Sequence, residues 1–203
     1  MTYPDFYNDV NEITLYDPLS DFLGSFDEGI VRFKYLMIVK AAGHSCPTVA
    51  GAYLMTSKAL TALYPNEIPV RGEIKVEFKE SIDDGVAGVI ANVITNITGA
   101  TRITGFKGLA GKYVRHSLMA FDKTINSSAR FTRIDTGKSV DVYYNPTSVV
   151  ANPRMGELMQ KCIMEQANDD ERKSFKQMWQ QRVKEILVDN FDNSEVLYVE
   201  ELN

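Results

Sequence analysis

The chain has 203 residues, 44% of them apolar and 24% charged, with a formal net charge of -5 and a pI near 5.1. That is enough chain to bury a real core in one ordinary domain. An acidic balance with no basic patch argues against nucleic acid as a partner. Two cysteines are too few for a disulfide framework. No apolar run approaches the ~20 residues that span a bilayer, and the polar, acidic start MTYPDFYNDVNEI is unlike a signal peptide. The expectation is a single cytoplasmic domain over residues 1–203, with no membrane partner.

In chain order, ITLY (13–16) has the composition of a short strand, stopped by Asp17-Pro18. A helical stretch with Leu19, Phe22, Leu23 and Phe26 on one side is expected next. GIVRFKY (29–35) sets Val31, Phe33 and Tyr35 against Arg32 and Lys34, the alternation of a half-buried strand. AAGHSCPTVAGAY (41–53) follows, and a helix is expected from Pro47 to Tyr64, where Pro65 and Asn66 end it. Val49, Tyr53, Leu60 and Tyr64 fall on or near one face of it.

GEIKVEF (72–78) reads as a strand with Ile74, Val76 and Phe78 pointing one way. DDGVAGVIANVITNI (83–97) reads as a nearly buried helix opened by acidic residues. HSLMAFD (116–122), SARFTRI (128–134) and KSVDVYY (138–144) are strand-like, with turn signals at Asn126-Ser127-Ser128 and Asp135-Thr136-Gly137. From about residue 153 the pattern is helical. There Phe175, Met178, Trp179, Val183, Ile186 and Leu187 keep helical spacing, which predicts a largely buried Trp179. Asn168 and Glu171 can form a capping box, and EVLYV (195–199) can close the sheet. This order predicts an α+β fold rather than a doubly wound sheet.

The chemistry concentrates in GHSCP. With Pro47 as first helical residue, Cys46 becomes the N-cap, where the helix dipole and free backbone N–H groups favour thiolate. Thiolate and imidazole are natural ligands for zinc or a similar divalent ion, and His44 and Cys46 can point the same way across Ser45. Two ligands do not make a site, however, and a histidine near a helix start is more often hydrogen-bonded structure, a lone cysteine more often core. His116, the only other histidine, is the candidate third ligand. TGFKGLAGKY (104–113) fails the P-loop spacing and has Tyr113 in place of Ser or Thr, so a glycine-rich turn is the better reading. That turn can still offer backbone N–H groups to an anion, with Lys107 and Arg115 near in sequence. Cys162, beside Leu158 and Met159, reads as core.

GHSCP followed by TVAGAYLMTSKALTAL resembles the signature of the FmdE family of formylmethanofuran dehydrogenase components, in which a Gly-His-x-Cys-Pro-Gly-like segment opens a helix. The resemblance continues through GEIKVEF, GVIANVITNITGAT, RIDTGKSVDVYY and WQQRVKEIL, roughly residues 15 to 188. It implies an α+β fold of the FmdE, GAPDH-domain-like kind, a mixed sheet with helices packed on one side, plus C-terminal helices. It also implies a zinc-like metal site at His44 and Cys46. Family members often have Thr-Gly-Cys-Thr where this chain has Thr98-Gly99-Ala100-Thr101, and some carry a C-terminal zinc ribbon that is absent here.

Three functions are compatible with these residues. One is a metal-binding protein, possible as an enzyme, with His44, Cys46 and His116 on zinc, an open position for water, and Thr101, Lys107 and Arg115 lining the pocket. Another is a non-catalytic module that binds a small ligand or the other components of a larger enzyme. The third is a thiol enzyme with Cys46 as nucleophile. The absent thiol at Ala100 and the prevalence of two-fold oligomers also point to a homodimer.

Overall fold

The computed structural model describes residues 2–202. A two-stranded antiparallel unit pairs β1 (Ile13–Tyr16) with β2 (Ile30–Phe33), bracketing the short helix α1 (Pro18–Phe22). Helices α2 (Tyr35–Ala42) and α3 (Pro47–Leu63) follow, then β3 (Ile74–Glu77) and α4 (Ala87–Thr98). Strands β4 (Met119–Ala120), β5 (Ala129–Arg133) and β6 (Ser139–Tyr144) lead to helices α5 (Met155–Ile163) and α6 (Asp169–Lys184). A π-turn over Glu185–Asp189 extends α6, and β7 (Leu197–Leu202) closes the chain. The five-stranded sheet has the order β4-β3-β5-β6-β7. Only the β3–β4 pair is parallel, so the sheet is mixed and the fold is α+β, as the element order indicates.

Helix α3 packs against β5, β6 and β7, and α2 and α4 pack against α3. Strand alternation explains the layering. Ile74, Val76, Ala129, Phe131, Val140 and Val142 turn inward and are buried. The opposite face carries cross-strand polar partners instead. Arg130 makes two 2.8 Å hydrogen bonds to Asp141, Thr132 meets Ser139 at 2.8 Å, and Tyr143 donates to Glu200 at 3.1 Å.

Several expectations change. The strand ends at Phe33, and Tyr35 instead opens α2, which ends on the left-handed Gly43 (φ 78°). Helix α1 is a single turn, and Phe22, Leu23 and Phe26 are exposed rather than buried in the core. Asp17 explains its start, accepting hydrogen bonds from the Leu19 and Ser20 N–H groups with proline at N1. The acidic pair Asp83-Asp84 lies in the turn before α4 and does not cap it by side chain. The predicted strand at 116–122 shrinks to the two residues of β4. The Asn168–Glu171 capping box and the closing strand are present. Trp179 is half-buried: Val183, Ile186 and Leu187 are core residues, while Trp179 packs against the edge of the core and donates its indole N–H to the loop before α3.

Small residues let α3 sit this deep. A Cβ on Gly51 would lie 2.2 Å from the Tyr144 ring, whose hydroxyl donates to the Pro47 carbonyl at 2.8 Å. Ala at a helix interior is intrinsically better than Gly by about 0.5–1 kcal/mol. Overpacking against a buried ring outweighs that, typically by about 1–3 kcal/mol. Gly51→Ala should therefore lower the urea midpoint with an unchanged m-value; an equal or higher midpoint would show that Tyr144 moves aside freely.

Candidate active site

Gly43 stops α2 in a left-handed conformation, and a three-residue connector turns the chain into α3. Each connector residue is tied down. Ser45 is buried, and its hydroxyl meets the Tyr35 hydroxyl at 2.8 Å. Burial pushes the Tyr35 hydroxyl far above its ordinary range, so this stays a neutral hydrogen bond. The Ser45 carbonyl accepts from Trp179 Nε1 at 2.9 Å and Gln180 Nε2 at 3.4 Å. Together with the Tyr144–Pro47 bond, α6 and β6 hold the backbone on both sides of Cys46.

Cys46 is the N-cap, extended at φ -149° and ψ 169°, and its Sγ accepts the Val49 N–H at 3.4 Å. His44 Nε2 lies 3.3 Å from that sulfur. On the other side of the ring, Nδ1 is 3.1 Å from the Ala42 carbonyl oxygen. A carbonyl only accepts, so Nδ1 carries the hydrogen, and Nε2 is left to exchange a proton with sulfur. The half-buried sulfur thus has the imidazole on one side and the Val49 N–H of the helix N-terminus on the other, a donor suited to negative charge developing on it.

Two cavities adjoin His44. One, of about 340 Å³, runs between the end of α2 and α4, with Asn92 and Asn96 on its wall. The other, of about 500 Å³, is lined by Tyr7, His44, Ser45, Phe175, Trp179 and Gln180.

The family described as "FmdE, Molybdenum formylmethanofuran dehydrogenase operon" matches residues 41–193, from just before His44 to beyond α6. The chain belongs to the FmdE family. A comparison with curated proteins finds no match.

In this FmdE-family chain, the other site residues expected from sequence do not converge on His44 and Cys46. His116 sits in the loop before β4, with Nδ1 on the Ser117 hydroxyl at 2.9 Å. Thr101 donates to the Arg115 carbonyl, Lys107 is exposed, and none of Thr101, Lys107 and Arg115 lines either cavity beside His44. Ala100 is fully buried behind α4. Cys162 is half-buried on α5 and lies outside the main core. What sequence reasoning missed are Tyr35, Ser45 and the Trp179 indole, which position the pair. Gly43 followed by His44 was the available signal for the end of a preceding helix.

The pair has the right donor chemistry for zinc, and its 3.3 Å separation approaches the ~3.5 Å between two ligands of one tetrahedral zinc. Donor number is what fails. Among the described residues no group of three or more His, Cys, Asp or Glu side chains gathers anywhere, so His116 does not complete a site. The residues of one chain therefore do not fit a resident zinc.

Arg115 serves a different centre. Its Nη2 donates to Asp17 at 2.6 Å, and Arg71 Nη1 donates to the other oxygen of the same carboxylate at 2.9 Å. Burial alone would raise Asp17, but the Arg71 hydrogen bond, the Arg115 charge and the Ser20 N–H outweigh it and hold the carboxyl below its ordinary range. A depressed carboxyl contributes stability above the ordinary carboxylate range and loses it as pH falls through the folded value. Asp17→Asn should cost on the order of 3–5 kcal/mol at neutral pH, because two guanidinium groups lose their anion. The gap from wild type in urea titrations should narrow as pH drops below ~4; a constant gap would remove Asp17 ionisation from the account.

Proposed function

We propose that this FmdE-family chain is a small-molecule-handling module whose working group is the Cys46 thiol, with His44 as its base. The observation that carries this is the 3.3 Å approach of Nε2 to Sγ at a helix N-terminus, with Nδ1 committed to the Ala42 carbonyl. In use, the thiol proton passes to Nε2 and the sulfur electron pair attacks a carbonyl carbon of the bound molecule, forming the S–C bond as the C=O π pair moves onto oxygen. The imidazolium then returns its proton to the atom that gains charge. The cavity walled by Tyr7, Phe175 and Trp179 supports a largely apolar ligand presented beside His44.

Iodoacetamide labelling followed by mass spectrometry tests the pair. Cys46 should react faster than Cys162, and His44→Ala should slow Cys46 by about tenfold or more while leaving Cys162 unchanged. If His44→Ala labels at the wild-type rate, the imidazole is not acting as base.

A second reading keeps the expected divalent metal, zinc, on the same two side chains. What favours it is the Nδ1 hydrogen bond to a carbonyl, the arrangement that orients metal-binding imidazoles. The remaining ligands then come from outside the chain, from a second copy in the expected homodimer or from the ligand itself. Metal analysis after dialysis against chelator should show an equivalent retained by Cys162→Ser, lost in Cys46→Ser, and falling as pH is lowered. Metal-free wild-type protein, in monomer and dimer fractions alike, rules this reading out.

A further inference from the structure

A third cavity, of about 460 Å³, lies away from His44, between α1, the approach to β3 and the glycine-rich loop. Its wall includes Arg71, Gly72, Glu73, Lys112, Tyr113 and Arg115. Arg115 is buried, only 5% exposed, yet its Nε and Nη1 have no hydrogen-bond partner among the described residues. Only Nη2 is used, on Asp17. Buried guanidinium N–H groups left unmade are costly and rare in a finished structure. Crowding explains where the group lies but supplies no acceptor: Gly72 has φ 88°, and a Cβ there would be 1.9 Å from Nη1. The guanidinium can lie against the cavity wall only because Gly72 has no side chain.

Most charges around the cavity are already paired: Arg71 and Arg115 share Asp17, and Arg133 is shared between Asp135 at 2.6 Å and Glu67 at 3.2 Å. Lys112 is exposed at the mouth and makes no ion pair among the described residues. The loop that bears it, Gly108 to Tyr113, is pinned by reciprocal Leu109–Lys112 backbone hydrogen bonds of 2.9 Å. Tyr113 in turn stacks on Phe22 of α1, with ring centroids 5.5 Å apart.

We infer that this cavity is an oxyanion site, separate from the Cys46–His44 centre, that binds the carboxylate or phosphate of a small molecule through Arg115, Arg71 and Lys112. The anion accepts from the unused guanidinium N–H groups after a small opening of the Gly72–Tyr113 wall, and Lys112 closes over it. Arginine provides the fork that suits both carboxylate and phosphate, so the two anions share one recognition chemistry.

The test is a titration of the full chain with inorganic phosphate and, in parallel, malonate, at constant ionic strength, followed by amide NMR shifts. Saturable shifts at Gly72 and at residues 111–115 are expected, and the tighter of the two anions identifies the natural headgroup. Arg115→Lys, which keeps the charge opposite Asp17 but loses Nε and the fork, should weaken binding about tenfold. Lys112→Ala, at an exposed position, should weaken it severalfold, while Lys107→Ala should bind as wild type. Should Arg115→Lys not fold, Lys112→Ala against Lys107→Ala decides alone. Linear, unsaturating shifts with both anions, or equal affinity in Lys112→Ala and Lys107→Ala, overturn the assignment.

Discussion

A seventeen-residue helix buried along most of its length must begin somewhere without stranding its first N–H groups. In α3 the sulfur of Cys46 takes one of those N–H groups, and the half-buried first turn leads into a run buried from Val49 to Thr56. The helix contributes eleven buried residues, touches three strands and supports two further helices. Shifting it would disturb both layers at once. The connector before it is therefore placed by the whole core rather than by local loop preferences. Preorganisation of that kind is what a nucleophile and its base require, since small misplacements are expensive in rate.

The same depth explains which parts could be read from sequence. Strands β5 and β6 alternate in sequence because one face meets α3 and the other carries Arg130, Asp141, Thr132 and Ser139. The α3 boundaries followed from Cys46-Pro47 and Pro65, and the Asn168–Glu171 box marked α6. Helix α2 was hidden because Tyr35 continues the alternation of β2 by accident of composition, although the chain turns at Lys34. The exposure of Phe22, Leu23 and Phe26 ran against an apolar pattern that local spacing read as packing.

At the site, local chemistry was legible and long-range company was not. His44 and Cys46 meet because one residue separates them beside a helix start, a relation that sequence distance fixes. The gathering of His116, Thr101 and Arg115 depended on how the loop between α4 and β4 folds. That loop is spent on Asp17, which draws Arg115 and Arg71 together from 98 and 54 residues away. A lone carboxylate after a strand gives no hint in sequence that it will organise two distant cations. The FmdE-family match spans the pair, and among the described residues no group of three or more potential ligands gathers around it.

The hold of α6 on the Ser45 carbonyl has an optical side. Trp179 is the chain's single tryptophan, half-buried, with its indole N–H bonded to the carbonyl between His44 and Cys46. Indole emission responds to the polarity and hydrogen bonding of its surroundings, and here those surroundings are the wall of the cavity beside His44. The molecule thus carries an intrinsic chromophore on the wall of that cavity. Ligand screening can be read by fluorescence on unlabelled protein, without an assay for any reaction.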